Sequence, residues 1–146
     1  MRISISNRQR KIRLSPRRLE RECRKALRLL GLQRAELSVL LAGPEGIRKL
    51  NSRYRGVDRP TDVLSFPLYE SPRDFPVEGE FALGDIVLCP SQAARQARLY
   101  GVALEDEMRR LLVHGLLHLL GFDHERSGYA RRRMERKERE LMEALA

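Results

Sequence analysis

The chain has 146 residues with 34% charged and 5% aromatic side chains, a size that predicts one domain over residues 1–146 with a substantial core. No apolar run is long enough to span a bilayer and the N-terminus lacks a signal-peptide core, so a soluble cytoplasmic protein is expected. Cys23 and Cys89 lie far apart in apolar patterns and read as buried free thiols rather than a disulfide.

Residues Arg2 to Asn7 alternate, Ile3 and Ile5 against Ser4 and Ser6, as a half-buried strand does. Ser15-Pro16 starts a helix whose buried stripe is Leu19, Cys23, Ala26, Leu27 and Leu30, and Gly31 ends it. Its other face carries Arg17, Arg21, Arg24, Lys25 and Arg28, which reads either as a solvated face or as one that meets RNA. Leu37 to Ala42 is an apolar strand, and Gly43-Pro44 opens a helix with Ile47, Leu50 and Tyr54 pointing inward and Asn51 and Arg55 flanking its end. The turn-rich loop Gly56 to Asp62, in which Arg59 is a further candidate to face RNA, leads into the strand Val63 to Pro67. Leu68 to Phe81 reads as an irregular excursion rather than a core element. The next strand, Leu83 to Cys89, holds Asp85 inside an apolar run; a hydrogen bond to a loop or a catalytic role would each account for it. Three helices follow, over Pro90 to Tyr100, from about Glu105, and over Tyr129 to Leu145 with Met134, Leu141 and Leu145 along one side. The tally predicts an α+β fold: a mixed sheet of about four strands covered by helices, with the histidine-bearing helix packed across it.

All three histidines fall in one run, His114-Gly-Leu-Leu-His118-Leu-Leu-Gly121-Phe-Asp123-His124. His114 and His118 are one helical turn apart on one face. Gly121 falls where the helix would stop, and a turn there can bring His124 back to the other two rings. Three converging imidazoles make a borderline-soft metal site with an open position, as in catalytic zinc sites. A structural zinc is the alternative, with Asp123 the local fourth ligand. The spacing is that of the metzincin cage, except that glycine occupies position 115, where the peptidase carries its general-base glutamate. Peptide hydrolysis is thereby disfavoured. The formal charge of +9, mostly arginine, beside a metal site instead suggests a polyanionic substrate.

Three segments together resemble the YbeY family, the metal-dependent endoribonucleases of bacterial ribosomal RNA maturation. They are Asn51 through Tyr54-Arg55 and Pro60-Thr61-Asp62 to Ser65-Phe66-Pro67, then Leu83-Gly84-Asp85-Ile86, then His114 to His124. The resemblance covers essentially the whole chain. It implies Zn2+ on His114, His118 and His124, with Arg55 a second functional residue; a salt bridge from Arg55 to Asp58 is its structural alternative. It also implies single-stranded RNA as substrate, above all the 3′ end of 16S ribosomal RNA, with small-subunit ribosomal proteins or assembly factors as partners and a part in ribosome quality control. In the mechanism expected, zinc-bound water or hydroxide works beside Arg55, either with no further base or with Asp85, Asp123 or a substrate group serving as base or supporting acid; water and the ribose 2′-hydroxyl both stay open as the attacking group. The competing function is a metal-stabilised ribosome-assembly factor that binds RNA or protein without cutting.

Overall fold

The computed structural model describes residues Met1–Ala146. Its elements are β1 (Arg2–Asn7), α1 (Pro16–Leu29), β2 (Ala35–Leu41), α2 (Pro44–Arg55), β3 (Val63–Pro67), β4 (Phe81–Leu88), α3 (Pro90–Tyr100), α4 (Leu104–Leu119) and α5 (Gly128–Leu145), with a 3-10 turn at Pro72–Asp74. The strand order is β1-β2-β4-β3. β1, β2 and β4 run parallel and β3 is antiparallel to β4. The expected α+β fold with a mixed four-stranded sheet is therefore the one observed.

Strand alternation divides the sheet into two unequal faces. Leu37, Val39, Leu41, Ile86 and Leu88 face the larger core, which they share with Leu27 of α1 and Leu112 and Leu116 of α4. Burying each such side chain contributes about 1.5–3 kcal/mol. On the opposite face α2 alone packs, setting Ile47 against Leu64, Val87 and Cys89. Much of the rest of that face, including Ser4, Ser38 and Asp85, is exposed.

Two glycines let α4 come close to the sheet. The β2–β4 register slips between Glu36 and Leu37, opposite Gly84, whose φ is +150°. A Cβ on Gly84 would lie 2.5 Å from the Phe66 carbonyl oxygen and 2.9 Å from Leu119 Cδ2. At Gly115 a Cβ would lie 3.1 Å from Ile86 Cγ2 and 3.2 Å from Ser65 Oγ, and that hydroxyl donates to the Gly115 carbonyl at 3.2 Å. The histidine helix thus rests its backbone directly on β3 and β4.

Two expectations need correction. The Leu68–Phe81 excursion is anchored in the core: Tyr69, Phe75 and Phe81 form an aromatic cluster with centroids 4.7–6.0 Å apart, and Phe81 is the buried first residue of β4. Tyr54 does not point inward. It is 57% exposed and meets Phe66 edge-on at 5.2 Å, while Asn51 takes the buried position and donates from Nδ2 to the Arg59 carbonyl at 2.9 Å.

Candidate metal centre

α4 opens with Glu105, Asp106 and Glu107, whose charges suit the positive end of the helix dipole. Its apolar residues from Met108 to Leu119 are buried, and His114 and His118 sit half-buried at the margin of that stripe. The helix ends in a Schellman turn. Gly121, at φ +87°, donates to the His118 carbonyl at 3.0 Å, and Phe122 donates to the Leu117 carbonyl at 3.0 Å. Asp123 Oδ1 then accepts the Glu125 N–H at 2.9 Å. These two turns carry His124 back over α4.

The three rings meet. Their centroids are 4.6, 5.3 and 5.3 Å apart, and one nitrogen from each lies within 4.8 Å of the others. The Nε2 atoms of His114 and His118 are 3.0 Å apart. Ligand nitrogens about 2.0–2.1 Å from a tetrahedral ion stand roughly 3.3 Å from each other, so small adjustments would seat one. The donor set also suits a borderline cation, because His124 has a buried Nδ1 with no hydrogen-bond partner. Burial, reinforced by the neighbouring His114 and then His124, lowers the His118 pKa against the weaker pull of Asp123 and the Phe122 backbone. That favours the neutral imidazole which a metal ligand must be. Asp123 is not among the converging donors, its Oδ1 being engaged with the loop.

A residue that sequence reasoning missed completes the centre. Glu138 of α5 reaches His114, with Oε1 2.6 Å from Nδ1. Burial would raise the Glu138 pKa, but the hydrogen bond and charge of His114, helped by Arg110 and His118, lower it instead. The carboxylate therefore accepts the Nδ1 proton and leaves Nε2 of His114 with its lone pair facing the other rings. A signal was present. Glu138 follows Met134 by four and precedes Leu141 by three, so this acid stands in the buried stripe of an otherwise solvated helix.

The histidines open into a groove of about 590 Å³, whose wall includes Thr61 to Pro67, Tyr54, Arg55 and Asp123. Arg55 is exposed at the end of α2, and the Asp58 carboxylate pairs with Arg48 rather than with Arg55. The groove wall is tied to α4 by a chain of bonds. Asp62 accepts from the Val63 N–H at 2.8 Å and from Gln96 Nε2 at 3.1 Å. Gln96 also donates to the buried Glu107 at 2.7 Å, which Arg110 grips with two bonds of 2.7 Å. Gln96 and Glu107 were not foreseen either, since each looks like an ordinary polar residue of a helix.

The remaining candidates lie elsewhere. Asp85 is exposed in a separate groove with Arg2, Ser4 and Ser38, not beside the imidazoles. Its neighbour Ile86 packs on Gly115, so strand alternation sends Asp85 to the other face of the sheet. Arg59 is exposed and outside the groove wall. Arg17, Arg21, Lys25 and Arg28 are exposed on α1, and Arg24 is held by Glu20 at 3.0 Å.

Fold and site together define a three-histidine candidate metal protein on a mixed α+β sheet, with an arginine-bearing groove. Residues 4–146 match the model of the family described as Endoribonuclease YbeY. The chain belongs to that family. It is 44% identical over 146 residues to the Endoribonuclease YbeY of Geobacter sulfurreducens, covering 99% of this chain and 96% of that one. Against its Aquifex aeolicus counterpart it is 41% identical, covering 99% and 92%. A solution structure of a Thermotoga maritima protein superposes with a TM-score of 0.69 at 31% identity, covering 98% of this chain and 88% of that one.

Proposed function

We propose that this protein is a zinc-dependent endoribonuclease that cuts single-stranded RNA, acting on the 3′ end of 16S ribosomal RNA during ribosome maturation and quality control. The observation that carries this reading is the meeting of three imidazoles in a groove that also holds Arg55. His114, His118 and His124 would hold the ion, which when bound supplies a Lewis acid and activates water near neutral pH. Glu138 keeps the proton on Nδ1 of His114 and so directs Nε2 at the ion. Arg55 meets the negative charge that builds on the phosphodiester as it is cleaved. Tyr54 offers an exposed ring beside Arg55 on which an unpaired base can stack, which favours single strands over duplex. Gly115 leaves no side chain where a peptidase has its base, and the contact with Ile86 and Ser65 leaves no room for one. The family supplies the substrate class; small-subunit proteins as partners and a cytoplasmic site of action belong to this proposal.

The test is cleavage of a single-stranded RNA and its duplex by the wild type and Arg55→Glu, with metal content measured on both proteins. The variant should keep its metal and lose cleavage, and the wild type should prefer the single strand. Unchanged turnover in Arg55→Glu would remove Arg55 from the mechanism. RNA bound but uncut by metal-loaded wild type would favour an assembly factor.

A further inference from the structure

Residues 8–28 contain ten cationic side chains and two acidic ones, a net +8 within a chain whose total is +9. The charge is thus almost wholly local. Of these ten cations, Arg18 and Arg24 pair with Glu22 and Glu20. Arg8, Arg10, Lys11, Arg13, Arg17 and Arg21 are all exposed.

The loop that carries the first four is built, not loose. Gln9 is a buried polar residue, 9% exposed, and its side chain closes the loop on itself. Its Nε2 donates to Asn7 Oδ1 at 3.1 Å and to the Ile12 carbonyl at 2.8 Å, while its Oε1 accepts the Ile12 N–H at 2.9 Å. With Gln9 turned inward, Arg8, Arg10 and Lys11 are left turned outward. Ser15 then caps α1, whose first turns add Arg17 and Arg21. Like charges held this close repel one another, and a polyanion relieves that repulsion.

The place of this surface in the sheet matters. It follows β1, the edge strand opposite β3, whose residues line the histidine groove. Three strand spacings, about 14 Å, separate the two edges. We infer that the Gln9-stapled loop and the start of α1 form a second RNA-binding surface, one that grips the phosphate backbone of a substrate longer than the histidine groove can hold. Charge complementarity selects the occupant. The inference rests on the endoribonuclease reading for its substrate, but its test is a binding measurement that stands without cleavage.

The experiment compares wild type with a variant carrying Arg8, Arg10, Lys11 and Arg13 changed to Gln. A second variant, with Arg131, Arg132, Arg136 and Arg139 changed to Gln, removes the same charge from exposed positions of α5. Affinity for a short oligoribonucleotide, for one several times longer and for polyglutamate is measured across a range of salt, together with the rate at which the short RNA is cleaved. The loop variant should bind the long RNA at least about tenfold more weakly, with a salt slope reduced by about 0.7 for each phosphate it no longer neutralises. It should cleave the short RNA at the wild-type rate. Unchanged affinity and slope for the long RNA would overturn the inference. So would an equal loss in the α5 variant, which would trace the effect to total charge, or a loss confined to binding of polyglutamate, which would make the occupant an acidic polypeptide. If wild type binds both RNAs and cuts neither, the endoribonuclease reading fails while this surface is still judged on binding.

Discussion

Glu138 can be removed without touching any of the three imidazoles. Its carboxylate sits 2.6 Å from His114 Nδ1, at the short end of charge-assisted hydrogen bonds, and each side chain is 24% exposed. Such a pair is screened less than a surface ion pair, whose worth is about 0–1 kcal/mol. Without the acceptor, His114 loses the bond that fixes its tautomer, and the Nε2 lone pair is no longer guaranteed to face the site. Losing an acceptor of this kind typically lowers metal affinity 10–100-fold, or about 1.4–2.7 kcal/mol. Glu138→Ala should fall in the upper half of that window. Glu138→Gln keeps a neutral acceptor and should lose about tenfold. Zinc affinity is read by competition with a chromophoric chelator on metal-free protein, and far-UV circular dichroism checks that α5 still forms. A folded Glu138→Ala that binds zinc within about twofold of wild type would refute this account of His114.

Position 115 tests why the peptidase base is absent. Alanine there gains about 1 kcal/mol of helix propensity over glycine but crowds the fully buried Ile86, which costs about 1–3 kcal/mol, so stability should stay level or fall by up to about 2 kcal/mol. Gly115→Glu adds a buried charge to that clash; it should unfold at clearly lower urea concentration than Gly115→Ala and hydrolyse no peptide, and a Gly115→Glu protein of wild-type stability would contradict the packing. Burial, with Glu22 and Glu20 nearby, pushes the Cys23 thiol up to about 12. Native protein should therefore leave Cys23 unlabelled by a thiol reagent that modifies the unfolded chain, and fast labelling of the native Cys23 would show that it is not sealed. The unfolded thiol ionises near about 8.5 and the folded one near 12, so the unfolded state binds fewer protons in between. Stability should fall as pH rises through that window, and Cys23→Ala should flatten the fall.

Much of this molecule can be read from residue patterns because local rules and tertiary packing agree. β1 alternates with period two and α1 has a continuous apolar stripe, and both form where those patterns place them. The histidine spacing, with glycine at 121, implies a turn that returns His124, and the Schellman bonds provide it. What was hidden depends on partners distant in sequence. Glu138 lies 24 residues from His114, and only the packing of α5 on α4 reveals its purpose. The Asp62–Gln96–Glu107 chain joins the loop before β3 to α3 and α4 through side chains that carry no local signature. Asp85 was misassigned because an acid in an apolar strand looks buried, whereas this sheet leaves much of one face in water. Tyr54 was misassigned for the converse reason, an aromatic residue at helical spacing being more often core than groove wall.

The central claim is that three imidazoles hold one catalytic ion, and it is tested most directly by RNA cleavage measured alongside elemental analysis before and after chelation. One zinc per chain is expected, with cleavage lost when the metal is stripped, restored by one equivalent of zinc, and absent from His118→Ala under either condition. Metal-free protein that still cuts RNA at the original rate would contradict the claim.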